Sequence, residues 1–536
     1  MSGCLPVGGR AGTNALASTR VKGEGAQRAY RQRIMAWSLY DWANHGYLTT
    51  TATTFFPPHF VAIAAPAFMA AGAAVSAVAR DTASNVFALT VSLALLVSAV
   101  LAPVVGTYAD ITGRRKRLLI AVTVVGGTLA SAMFALTPGR WQLALVLYFA
   151  TQVALNLALG LNSSLLPHVA RPEDLPRASS FGYAMGYIGG GLLLAVNAAL
   201  FLLSGQLGID RTLTVRIAFL TVGVWWIAFT VPLMRRVPEP PGVPLAHGGT
   251  GNPIGDALRR LAHTLRDIRR YRELFKMLVA FWFYMEGVGA IVLLATAYGA
   301  ALGLDTAVLV GTLLMTQAVA FPYALLYGRI ADPRTRWRGA FVSMLLWTGA
   351  TLPLIGAYAR GHGSISLVHA FALILGDQLL GVVLSLLIGR HLVSGLVRRL
   401  DAKGAVILGL AIYTVIPVWG FVLSTQAEFL MIGWLVGTVQ GGTQALSRAI
   451  YAELSPAAKS GEFFGLYGLS EKFAGILGPL LYGVVGQLTH NPRASILSVS
   501  AFFLLGIVLL ARVNVAAGTR AAADEEAAIE AAHAAD

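Results

Sequence analysis

The feature that most constrains this chain is a succession of apolar runs, each near 20 residues long, separated by short polar and basic segments. A helix of about 20 apolar residues spans the roughly 30 Å hydrocarbon core of a bilayer. Fourteen runs can be drawn. Six lie in the first part of the chain: 35–57, 84–108, 118–137, 141–166, 180–204 and 214–234. Eight lie in the second: 275–299, 307–328, 339–358, 365–389, 404–424, 428–447, 463–488 and 494–511. Only 12% of the 536 residues are charged and 56% are hydrophobic. Soluble domains carry roughly 25% charged and 45–50% apolar residues. Too little polar surface is left to coat a water-soluble core, so an all-α integral membrane protein is expected.

The basic residues test that count, because Lys and Arg collect on the cytosolic side of membrane helices. With a cytosolic N-terminus, six of the 40 fall outside: Arg80, Arg140, Arg211, Arg216, Arg360 and Arg493. Lys472 lies within a run, which leaves 33 on the cytosolic side and both termini cytosolic. The net charge of +15 is spread over these short loops. It suits anionic headgroups and argues against nucleic acid. Residues 1–33 are Gly, Ser and Arg rich without an apolar signal core, and are expected to be a disordered cytosolic tail. The linker 237–274 opens with a Pro/Gly-rich stretch. Arg259, Arg260, Arg266, Arg269 and Arg270 then recur at helical spacing, which predicts an amphipathic helix on the membrane surface. Residues 516–536 are Ala/Glu rich and are expected to be a frayed helix or disordered tail. The single cysteine, Cys4, excludes an intramolecular disulfide and a cysteine zinc cluster.

An internal repeat is present. SSLLPHVARPEDLPRASSFGYAMGYIGGGL, from Ser163, parallels ALSRAIYAELSPAAKSGEFFGLYGLSEKFAGILGPL, from Ala445. Each leaves a helix, passes Pro172 or Pro456, and enters a glycine-rich helix at Phe181 or Phe464, an offset of about 283 residues. Tyr40-Asp41 in the first run is echoed by Tyr284-Met285-Glu286 in the seventh. The repeat predicts two pseudo-symmetric six-helix bundles, 34–236 and 275–515, with a substrate site between them. The second bundle then holds one helix pair too many. The surplus is expected between 329 and 403, where GRIADPRTRWRG and VRRLDAKG are rival counterparts of the second-to-third loop.

That loop reads GTYADITGRRKR, from Gly106. Gly106 permits close helix approach and Gly113 a tight turn. Asp110 is placed to face a neighbouring helix N-terminus, whose dipole favours an anion. Arg114, Arg115 and Lys116 stay in the cytosol, and the whole is expected to latch the two halves in one conformation. Charges within the membrane are costly and mark function by default. Asp41, beside Asn44, and Glu286 occupy equivalent runs and are expected to line one cavity, with one of them carrying a coupling proton. Glu471 and Lys472 either neutralise each other or contact substrate, and Asp377 falls in the suspected surplus pair. Gln152 and Asn156 on the fourth run, Tyr183 and Tyr187 on the fifth, and Gln440, Gln444 and Arg448 at i, i+4, i+8 complete a polar set suited to an amphiphilic solute. The chain contains no GxxxxGK[ST] phosphate loop, HExxH or GxSxG motif, so no ATP-driven pump, zinc protease or serine hydrolase is indicated. No cofactor or metal is implied.

YDWAN from Tyr40, GTYADITGRRKR, and GGTQALSR from Gly441 resemble the vacuolar-effluxer-like branch of the major facilitator superfamily, also called the unknown major facilitator family. The resemblance covers most of 34–300 and 428–512. It implies twelve core helices, alternating access, and export of amino acids as in fungal members. The leading expectation is a monomeric exporter of a small organic solute driven by an ion gradient, with the proton as coupling ion. A multidrug/proton antiporter is the alternative within the class, and a non-transporting membrane receptor or an enzyme acting on lipid lie outside it. The membrane is the cell membrane for a bacterial source and the vacuole or another internal membrane for a eukaryotic one.

Overall fold

The computed structural model describes residues 11–68, 77–243, 252–266, 269–361, 365–473 and 475–535. Among these the chain is helical throughout, without a strand. The first half supplies α1 (Ala11–Gly46), α2 (Ala77–Thr112), α3 (Arg115–Ala132), α4 (Trp141–Ser164), α5 (Leu175–Leu202) and α6 (Arg211–Arg236). A linker helix, α7 (Pro253–Arg266), follows. The second half supplies α8 (Arg272–Ala301), α9 (Thr306–Ala331), α10 (Arg338–Gly361), α11 (Leu367–Leu384), α12 (Ala402–Val422) and α13 (Gln426–Leu454). It continues with α14 (Ser460–Phe473), α15 (Leu477–Thr489), α16 (Pro492–Ser498), α17 (Ser500–Ala511) and α18 (Val515–Ala535). Ten helices among the described residues are long and apolar enough to cross a membrane. The predicted runs 35–57, 307–328, 428–447 and 463–488 are helical too but fall outside that set.

Packing repeats between the halves. In the first, α1 lies against α5 and α6, α3 against α4 and α6, and α2 against α4. In the second, α8 lies against α14, α15 and α17, α12 against α13, α16 and α17, and α9 against α13. By this correspondence α12 plays the role of α3, and the surplus pair is α10 with α11. That pair packs on itself and on the flank of α13, so the insertion lies within the expected interval. The halves meet along two seams, α2 on α14 and α9 on α5.

Three stretches depart from the expected runs. The first run does not stay α-helical. After Gly46 it becomes a π-helix over Tyr47–Phe55, then an α-helix over Phe56–Ala64. The segment is threonine-rich, and Thr54 turns its hydroxyl back to the Thr49 carbonyl at 2.7 Å. Pro57 and Pro58, lacking N–H groups, follow directly. The run at 463–488 is broken between α14 and α15, where Gly475 adopts φ +138°, a conformation that favours glycine. The expected C-terminal tail is instead a docked helix. In α18, Glu525 pairs with Lys459 at 2.5 Å and with Arg270, and Glu526 accepts the Ala458 amide at 3.0 Å. These partners are charges and backbone on other elements, which an Ala/Glu-rich composition does not reveal. Residues 11–33 of the expected N-terminal tail belong to α1, while 1–10 lie outside the described residues.

Candidate functional site

The central polar cluster is assembled from both halves. Asp41 on α1 and Arg448 on α13 are 2% and 4% exposed, respectively. Both terminal nitrogens of Arg448 donate to Asp41 Oδ2 at 3.1 Å. Asp41 Oδ1 accepts from Asn162 Nδ2 at 3.0 Å, and the Asn162 carbonyl accepts from Trp37 Nε1 at 2.9 Å. Arg448 also donates to the Ser179 hydroxyl at 2.9 Å and the Ser179 carbonyl at 3.0 Å. Its guanidinium lies 4.9 Å from the Trp37 ring centre and 4.5 Å from that of Tyr183. Gly182 makes the pair possible, since a Cβ there would sit 2.5 Å from Asp41 Oδ2 and 2.9 Å from Arg448 Nη2.

One turn along α1, the His45 ring packs 6.4 Å from Tyr183 and 6.1 Å from Tyr187. His45 Nδ1 is 2.9 Å from Asn44 Oδ1, and the Asn44 amide nitrogen is buried without a partner. Tyr187 crosses to the other half, its ring against Gly441 of α13. Glu471 is half-buried, and Lys472 approaches it only to 3.9 Å. Gln440 and Gln444 are half-buried on the same helix as Arg448. Gln152 is buried with its amide oxygen unpartnered. Asn156 donates to Ser98 at 3.2 Å and so ties α4 to α2.

Glu286 stands apart from this cluster. It is fully buried, but it accepts from Trp282 Nε1 at 3.1 Å and from the Gly475 and Gly478 amides at 2.9 Å each. The carboxylate thus caps the N-terminal end of α15 at the helix break, where a buried helix start leaves unpaired N–H groups. The expectation that Asp41 and Glu286 line one cavity as lone charges is corrected on both counts. Asp41 is ion-paired across the halves, and Glu286 shares none of its partners. Asp377 accepts from Trp347 and Thr351, linking α11 to α10.

At the basic end of the bundle the GTYADITGRRKR loop forms the first seam. Asp110 Oδ1 accepts from Arg115 Nε at 2.5 Å and the Gly461 amide at 2.9 Å, and Oδ2 accepts the Glu462 amide at 2.8 Å. The acid therefore sits on the N-terminus of α14. Arg115, fully buried, also donates to the Ala458 carbonyl and to His168 Nε2, the latter at 2.8 Å. A guanidinium only donates, so His168 is unprotonated at that nitrogen. Gly106 lies directly against the Gly461 carbonyl with no room for a Cβ, and Gly113 has φ +62°. Lys116 donates its amide to Glu239 at 2.7 Å and its amine to the Val237 carbonyl at 2.9 Å, while Arg114 is exposed at the start of α3.

The second seam repeats this with a different chemistry, and it singles out GRIADPRTRWRG as the matching loop. Asp332 pairs with Arg177 on the first turn of α5 at 2.6 Å and with Arg334 at 3.0 Å. Arg334 reaches Asp174 at 2.6 Å. Gly328 abuts Ser180 and the Pro176 carbonyl, as Gly106 abuts Gly461. Burial alone would raise the Asp332 carboxyl, but hydrogen bonds from Arg334 and the charges of Arg177 and Arg334 hold it below its ordinary range. Trp37, Ser179, Gly182, His168 and Asp332 were not singled out as site residues from sequence. Ser179 and Gly182 stand inside the repeated segment and Asp332 inside a rival loop, so the signal was positional and carried no partner.

Two six-helix halves, a polar cluster between them and paired loops at one end define a transporter of the major facilitator type. The fold agrees with solved structures: the proton:xylose symporter XylE at TM-score 0.58 and 13% identity, covering 90% of this chain and 95% of that one, and the E. coli fucose:proton symporter FucP at TM-score 0.56 and 11% identity, covering 90% and 98%. The chain belongs to the family described as vacuole effluxer Atg22 like, which matches residues 29–178, 173–360 and 362–523. Among its relatives, the MFS-type transporter YxiO of Bacillus subtilis is 28% identical over 489 residues, 91% of this chain and 96% of YxiO. Autophagy-related protein 22-1 of Aspergillus niger is 24% identical over 349 residues, 64% of this chain and 48% of that protein. The chain thus spans about half the length of the fungal relatives.

Proposed function

We propose that this multi-pass membrane protein is a secondary active transporter that moves a small organic solute, with amino acids the leading class, by alternating access coupled to protons. The observation that carries this reading is the buried Asp41–Arg448 pair, which joins the two halves among aromatic rings. An amino acid carries the same two charges. Its carboxylate can replace Asp41 on Arg448, and Glu471 can receive its ammonium group. Protonation of Asp41 releases Arg448 for a carboxylate, so proton and solute bind together. Solute then leaves the more acidic compartment, which accords with the efflux for which the family is named. Both seams at the basic end are made, so the state is closed on the side assigned to the cytosol. Asp110 and its partners act as the latch. A transporter role needs no catalytic residue, cofactor or metal, and the fourteen-pass arrangement with both termini cytosolic suits the distribution of Lys and Arg.

The test is flux of labelled amino acids in proteoliposomes with an imposed pH gradient. Wild-type protein is expected to accumulate label on the alkaline side, and Arg448→Gln to lose that activity while inserting normally. Absence of amino-acid flux in the wild type, or flux unchanged in Arg448→Gln, overturns the reading. In a Cys4→Ser background, Arg360→Cys is expected to label only from the outside. Labelling from the cytosol removes α10 and α11 as membrane passages.

A further inference from the structure

The linker helix α7 has two faces with different partners. Its inner face packs on α2 and buries Asp256, Ala257 and Thr264. From that face Arg260 reaches Glu462 at 3.2 Å. Glu462 lends its amide to Asp110, so α7 is tied to the first seam. The other face is apolar and uncovered: Ile254, Leu258 and Leu265 are 58%, 49% and 42% exposed. At 3.6 residues per turn these three fall within about 40° of one another around the helix. Arg259 and Arg266 stand on the shoulder of this stripe and are exposed. From Pro253 to Arg272 the chain holds six arginines against two aspartates.

An apolar stripe of this size is costly in water, and its flanking positive charges select what can cover it. A helix of this pattern lies in the interfacial plane of a membrane, apolar side toward the acyl chains and arginines among anionic headgroups. The bilayer surface is continuous with the basic end of the bundle, where α7 sits. We propose that α7 beds its Ile254–Leu258–Leu265 face into the bilayer and takes anionic phospholipid headgroups on Arg259 and Arg266. Lipid bound there steadies α7 and, through Arg260 and Glu462, the first seam. The surface is separate from the solute site and does not depend on which solute is moved.

The experiment uses full-length protein with Cys4→Ser and Leu258→Cys, carrying a bimane label, in nanodiscs. One set contains phosphatidylcholine alone and the other adds phosphatidylglycerol. Quenching by doxyl groups near the lipid headgroup is compared with quenching by aqueous acrylamide. The expected result is strong doxyl quenching with phosphatidylglycerol and weaker quenching without it, and a loss of that difference in Arg266→Gln. That variant leaves the Arg259–Asp256 pair in place. A label at Leu93, exposed on α2, should be quenched by deep doxyl groups in every sample and certifies insertion. Acrylamide quenching without doxyl quenching, doxyl quenching equal in both lipids, or protection from both quenchers with cross-linking to a second copy each overturns the proposal.

Discussion

At the scale of single residues, the Asp41–Arg448 pair decides most. Removing one member of a buried pair leaves an uncompensated charge, at a cost of about 3–5 kcal/mol. Asp41→Asn and Arg448→Gln are therefore each expected to lower the thermal unfolding temperature in detergent markedly. The double variant should recover much of that loss while remaining inactive, since its two amides no longer need a counter-charge. Losses that simply add would show the residues to be uncoupled. The sequence made each partner visible alone: Asp41 as a charge in an apolar run, Arg448 as the end of a polar face with Gln440 and Gln444. Their pairing was not legible, because they lie 407 positions apart and helical periodicity says nothing about which helix of the other half will be opposite. Glu286 was misread for a related reason. A carboxylate beside small residues suits a wet cavity, but equally suits the cap of a broken helix, and only the position of Gly475 and Gly478 distinguishes the two.

At the scale of elements, apolar length alone found most of the helices and missed their interruptions. The start of α15 depends on a carboxylate contributed by α8. Glu286→Gln keeps one acceptor oxygen for the Gly475 and Gly478 amides, sets an NH2 group against Trp282, and loses the charge at a helix N-terminus, an interaction contributing about 0.3–2 kcal/mol. The expected outcome is a modest fall in unfolding temperature with pH-driven solute movement retained. Loss of coupling alone, at wild-type stability, would restore Glu286 to the proton pathway. The helix α18 makes a different prediction. Burial would raise the Glu525 carboxyl, yet Lys459 and Arg270 hold it below its ordinary value of 4.5. A carboxylate with a depressed pKa stabilises the docked form fully above the undocked value, and that contribution is lost as pH falls through the docked one. Hydrogen-exchange protection of 515–535, corrected for intrinsic rates, should therefore be flat from neutral pH down to about 5 and decline only below about 4.5. A decline already at neutral pH would show that another group holds α18 in place.

At the scale of the whole molecule, the two halves are held at the basic end by seams that match in position and differ in chemistry. GTYADITGRRKR announced the first through its glycines and its acid. The second was legible only as one of two rival loops, because the inserted pair α10–α11 hides the repeat until packing shows which helices correspond. Asp110→Asn removes a buried charge from a helix N-terminus and leaves the enclosed Arg115 without its counter-charge; the helix-end contribution alone, up to about 2 kcal/mol, moves a balanced equilibrium by about thirtyfold. Pulsed electron–electron distances between spin labels at Arg117 and Arg336, both exposed at this end, should lengthen in the variant. An unchanged distribution would show that Asp110 does not govern closure. The contrast between the seams reaches further. Asp110 and Arg115 are wholly enclosed, whereas the arginines serving Asp332 are about half exposed, at 46% and 51%. Dissolved ions screen exposed pairs and leave enclosed ones nearly untouched. Raising the salt concentration should therefore slacken the α5–α9 edge while the α2–α14 edge holds. The molecule would then part on one side first, swinging like a door hung on a single post rather than opening as an iris.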